Sequence, residues 1–171
     1  MLKPVILLGF ALLSQSAGAL PRPIDLDLAS ANSLAGAAIA ACRAQGRPIV
    51  VSVVDRGGNL VAVQRSDGVG PHNTEASRKK AFTALSTRSS TLDLTRNAAF
   101  DPDARNLASL PELLLLGGGV PLRVQDQVVG VIGVAGGGGA LNDHACALAA
   151  IAATPAFDRP RTHLTNQGIH K

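Results

Sequence analysis

Four kinds of side chain in this 171-residue chain could do chemistry. Histidine is the first, at His72, His144, His163 and His170. An imidazole binds metals and moves protons near neutral pH. His72 follows Gly70–Pro71 where a loop meets a helix, the kind of place where loops present functional groups. It could equally cap that helix or face solvent. His144 shares a helical face with Leu141, Leu148 and Ile151, which is the pattern of a histidine satisfied inside a core. His163 and His170 lie in an aperiodic stretch and are poor candidates. Cations are the second kind: Arg65, Arg78, Lys79 and Lys80 could hold a carboxylate ligand, arginine through two parallel bonds and lysine as a point charge. Arg78 and Lys80 stand about 200° apart on a helix, so they cannot face one pocket. A solvated basic face is the ordinary alternative. Carboxylates are the third kind. Asp55, Asp67 and Asp143, with His72 and Lys80, would make an acid–base site if the fold brings them together. The last kind is the cysteine pair, Cys42 and Cys146.

Several familiar arrangements are absent. There is no Gly-x-Ser-x-Gly elbow, no His-Glu-x-x-His zinc pair and no Cys-x-x-Cys-His for covalent haem attachment. Gly117–Gly119 and Gly136–Gly139 lack the lysine and spacing of phosphate loops. Gly136–Gly139 leads from a strand into a helix with free amides, a generic anion site or simply a tight connection.

The ends and the composition narrow the class. Met1–Leu2–Lys3, the apolar run Val5–Leu13 and the small residues Ala17–Gly18–Ala19 read as a secretory signal over residues 1–19. A domain over 20–155 and a disordered tail over 156–171 are expected to follow. No later run reaches the roughly 18 apolar residues of a membrane span. The expected location is periplasmic or secreted. An oxidising compartment and an even cysteine count suggest a Cys42–Cys146 disulfide, with two buried thiols as the alternative. The net charge is +4, there is no Trp or Tyr and there are four Phe, with the basic residues scattered. Nucleic-acid binding therefore has little support.

The elements that must position these residues follow from periodicity. Asp25–Gln45 reads as a helix with Leu28, Ala31, Ala35, Ala38 and Cys42 on one face, ended by Gly46. Ile49–Val54 is an apolar strand buried on both faces, and Asp55–Asn59 turns it into a second strand, Leu60–Gln64. A helix capped by Asn73 or Thr74 runs to about Arg88, and Thr91–Leu110 holds a short helix in a long excursion. Leu113–Leu116, Val120–Val124 and Val128–Val134 are three more strands, Pro121 marking an edge or bulge. A last helix spans about Asn142 to Ala153.

The ordered motifs resemble those of the GlcG/HbpS family. They are Val51–Asn59, Arg65–Gly68, Gly70–His72, Lys80–Leu85, Gly117–Pro121, Val129–Val134 and Asp143–Ala147. The resemblance runs from about Asp25 to Ala153. It implies an α+β, profilin-like fold, with an about five-stranded, largely antiparallel sheet covered by helices on both faces. It also implies a homo-oligomer that binds a small-molecule ligand, haem or another tetrapyrrole, for sensing, storage or utilisation, with a sensor or uptake partner. His72 would be the axial ligand. Arg65, Asp67, Lys80, Thr83, Gly119, Asp143 and His144 complete the candidate ligand-binding set. Ser66 and His144 depart from the usual family residues, so no role for His144 is carried over. In a profilin-like fold the first and last helices can lie side by side, which would let Cys42 and Cys146 meet. An enzyme of small hydroxy- or oxo-acids built on Lys80 and Asp67 is the alternative function. A structural or sensor-partner oligomer is the third.

Overall fold

Asp27 accepts a hydrogen bond from the Ser30 amide and starts helix α1, Leu28–Arg43. The computed structural model describes residues 23–159. The signal segment expected over residues 1–19 and the histidines His163 and His170 lie outside the described residues. Gly46, at φ 69°, ends α1 and turns the chain into β1, Val50–Asp55. Asp55 accepts from the Gly57 and Asn59 amides, so one carboxylate organises the turn into β2, Leu60–Arg65. Burial pushes its pKa up, but the Asn59 side chain and the turn amides hold it below the ordinary carboxylate range.

After β2 come α2 (His72–Thr87), α3 (Thr91–Ala98) and α4 (Pro102–Asn106). Strands β3 (Gly119–Val124) and β4 (Gln127–Ala135) follow, then α5 (Ala140–Ala153). Gln125 and Asp126 both have positive φ, the backbone of a two-residue hairpin turn between β3 and β4. The sheet is antiparallel, in the order β2-β1-β4-β3.

Among the described residues the sheet has four strands, not the five expected, and Leu113–Leu116 pairs with none of them. Its amides are used otherwise: Leu113 donates to the Leu110 carbonyl, Leu116 to the Leu114 carbonyl, and Leu114 to the Thr83 hydroxyl of α2. The start of α2 also differs, since no side chain caps it; Asn73 instead donates through its amide to the Gly70 carbonyl. Nor do residues just beyond Pro155 leave the domain. Phe157 is buried in the main core, and the Asp158 amide donates to the Arg123 carbonyl.

Helices cover both faces of the sheet. Val51 and Val53 face α1 and α5 in the main core, with Leu34, Ala38, Ala147 and Ile151. Val54 and Val131 face α2 through Ala81 and Ala84. Strand β1 is buried on both sides, which its continuous Val run serves. Cys42 of α1 and Cys146 of α5 form a disulfide, with Cα atoms 5.6 Å apart, within the usual range for such a bond. Among the described residues no helix is long and apolar enough to cross a membrane.

Candidate functional site

Helix α2 lies close to the sheet. Its inward residues Ser77, Ala81 and Ala84 are small, and two glycines, Gly119 and Gly133, face each other across β3 and β4 beneath it. A Cβ on Gly133 would run into the Ser77 carbonyl, and one on Gly119 into the Lys80 carbonyl. This approach carries Lys80 under the surface. Its stem passes Gly118, and its ammonium donates to Asp143 Oδ2 at 2.7 Å and to the Val134 carbonyl at 3.0 Å. Lys80 and Asp143 are 1% and 5% exposed at their side chains. The other carboxylate oxygen of Asp143 accepts from the Gly137 amide at 2.7 Å. Burial pushes the Lys80 pKa down, and the Asp143 charge opposes it. The pair joins α2 on one face of the sheet to α5 on the other, over the end of β4.

A loop stands at this same end of the sheet. The Arg65 guanidinium donates to the Val69 carbonyl and so closes residues 66–70. Gly68, at φ 74°, sits at the tip beside the exposed Asp67. Val69 is buried against Gly136, so this loop packs on the glycine run after β4. His72, the first residue of α2, is exposed, with its ring beside Gly70. It makes no side-chain hydrogen bond or ion pair with any described residue.

The candidate residues therefore separate. Lys80 and Asp143 come together as a closed pair. His72, Arg65 and Asp67 share one exposed loop, and Asp67 is not bonded to Lys80. Thr83 donates to the Lys79 carbonyl and accepts from Leu114, so it anchors the excursion. Gly119 is a packing glycine whose amide donates to the Thr91 hydroxyl. Arg78 pairs with Glu75 and Glu112, and Lys79 donates to the Pro111 carbonyl, so both lie on the solvated face. His144 is half-buried, and its Nδ1 has no partner among the described residues. Burial holds its pKa below the ordinary value; Asp93 of α3 opposes this and Arg96 adds to it.

One residue at this end escaped the reading of the sequence. Arg47 donates to the Gly137 carbonyl at 2.6 Å, and its Nε is buried without a partner among the described residues. A lone Arg in the connection after α1 carries no motif that would mark it. Among the described residues no three His, Cys, Asp or Glu side chains cluster so as to hold a metal ion.

A family model described as "Haem degrading protein HbpS-like" matches residues 26–152. The chain belongs to this HbpS-like family. The crystal structure of a double mutant of Streptomyces reticuli HbpS is 35% identical, with a TM-score of 0.73, covering 90% of this chain and 97% of that one. A crystal structure of a PduOC–haem complex is 25% identical, with a TM-score of 0.71, covering 81% of this chain and all of that one (100%). An uncharacterised 15.0 kDa protein of Citrobacter freundii is 34% identical over 116 residues, 66% of this chain and 80% of that one. The four-stranded antiparallel sheet with its helices is thus the HbpS-like fold.

Proposed function

We propose that this chain is an exported protein that binds haem or a related tetrapyrrole. The observation that carries the reading is the exposed, unbonded imidazole of His72 on a chain of the HbpS-like family. A haem site needs an axial donor, cations for the propionates and apolar contact. His72 supplies the donor. Arg65 is fixed on the same loop and supplies a guanidinium, and Asp67 sets the charge at the tip. Lys80 does not serve a propionate, because its ammonium is closed off by Asp143 and Val134. When bound, haem supplies an iron centre whose ligation and surroundings the protein tunes. The PduOC–haem complex, of the same fold, supports the ligand class.

Export is part of the proposal. The Cys42–Cys146 disulfide supports it, since such bonds persist in oxidising compartments. We further propose that the chain works as a homo-oligomer in haem sensing, storage or utilisation, beside a sensor or uptake partner. No contact favours the acid–base alternative: Asp67 is exposed on its loop while Lys80 is buried and held by Asp143 and Val134.

The test is a haemin titration of residues 20–171 followed at the Soret band, in the unsubstituted chain and in His72→Ala and His144→Ala. The reading predicts a saturable band that His72→Ala abolishes or moves and His144→Ala leaves in place. An unchanged band in His72→Ala would take the ligand role from His72.

A further inference from the structure

The opposite end of the sheet, away from His72, gathers three arginines. Strand β1 runs from Val50, paired with Ala135, to Asp55, paired with Gly130, so the β1–β2 turn and the β3–β4 hairpin lie at one end. Arg56 stands in that turn, Arg123 in the hairpin, and Arg88 at the end of α2. A cleft of about 590 Å³ opens between them, within the size range of small-molecule sites. Phe82 and Leu85, both half-buried, give it an apolar side. Gly58, at φ 85°, lets the turn close onto them; a Cβ there would stand 3.4 Å from the Phe82 ring in a backbone region that favours glycine.

The charge in this cleft is uneven. Arg56 and Arg88 are exposed and make no side-chain hydrogen bond or ion pair with any described residue. Arg123 is half-buried, and its Nη1 donates to the Asp126 carbonyl at 2.9 Å, which holds the guanidinium in place. Asp126 is the one acidic residue among those lining the cleft. The end of a helix favours one nearby cation, which would account for Arg88 alone. Arg123 is held by its own hairpin, and Arg56 comes from a third element with no partner among the described residues that would draw it to the cleft. Guanidinium groups bind carboxylates through paired N–H bonds, and several of them around an apolar wall suit a small molecule with more than one carboxylate.

We propose that this cleft binds a small organic di- or tricarboxylate. Its carboxylates sit on Arg56, Arg88 and Arg123, and its carbon chain lies against Phe82 and Leu85. The site shares no residue with the haem reading and stands or falls without it.

The experiment titrates residues 20–171 with citrate, succinate and inorganic phosphate in turn, at fixed ionic strength, and follows amide resonances. Citrate or succinate should give saturable shifts at Gly57, Ser86 and Asp126. The double variant Arg56→Gln/Arg88→Gln changes only exposed side chains and should weaken that binding at least about tenfold, the loss expected when charge-assisted bonds are removed. Absence of saturable shifts with both carboxylates overturns the proposal. So does unchanged affinity in the double variant. Phosphate binding tighter than either carboxylate overturns the assigned ligand class.

Discussion

Lys80 heads the fully buried side chains of the described residues by volume, and its charge is tolerable only because Asp143 meets it. Removing one partner strands the other charge in the interior. Asp143→Ala should therefore cost about 3–5 kcal/mol in equilibrium denaturation. Lys80→Met combined with Asp143→Leu should cost far less, since apolar replacements of a buried pair are often neutral. Equal losses in the single and double variants would deny that the pair acts as a unit. Both residues could be picked out of the sequence as chemical candidates, but not their pairing, because 63 positions separate them and the contact exists only once α2 has closed on the sheet. His144 makes the pH prediction at this scale. Its folded pKa lies below the ordinary value of 6.5, chiefly through burial, so the unfolded chain takes up the proton first as pH falls. The stability it contributes is complete above that ordinary value and is lost as pH falls through the depressed one. Unfolding midpoints measured from about pH 7.5 down to 5 should fall, and His144→Leu should flatten that fall. Parallel curves for the two chains would count against it.

The closeness of α2 to the sheet is the property that builds the site at the level of elements. It depends on Gly133 and Gly119, where a methyl group has no room under the helix backbone. Gly133→Ala should destabilise by more than about 3 kcal/mol, beyond ordinary overpacking, because the obstacle is helix backbone and not a movable side chain. A midpoint close to that of the unsubstituted chain would show that α2 can shift without penalty. The strands β1, β2, β3 and β4 were legible in their Val-rich runs and turn residues, and α1 in Ala31, Ala35, Ala38 and Cys42, although Leu28 of that face is exposed and Leu34 is buried instead. Leu113–Leu116 was not, because four consecutive leucines satisfy the pattern of a buried strand, whereas the hydrogen bonds that decide the matter go to Thr83 and to the segment itself. The small-residue face of α2 was equally hard to read. Ser77, Ala81 and Ala84 signal little hydrophobicity, and their role appears only against glycines on the facing strands.

Across the whole molecule, the disulfide ties the first helix to the last, joining cysteines 104 positions apart. Closing a loop of that length stabilises by roughly 4–5 kcal/mol in the chain-entropy model, so Cys42→Ala/Cys146→Ala should lower the unfolding free energy by about that amount. Thiol counting in denaturant on protein isolated without reductant should find none free; two reactive thiols would contradict both the bond and the support it lends to the proposed export. The order of the motifs made the fold readable in advance, while the cysteine count suggested the bond and left two buried thiols open. The exposure of His72 and the burial of Lys80 became visible only with the chain folded, because both residues stand on the same helix and nothing local tells one face from the other. The proposed function places haem at His72, at the loop end of the sheet. Paramagnetic broadening of amide resonances on adding haemin tests it most directly. Val69, Gly70 and Asn73 should broaden at about one equivalent while Ser86 and Arg88 at the far end stay sharp. Broadening centred on any other part of the chain, or none at saturating haemin, would contradict it.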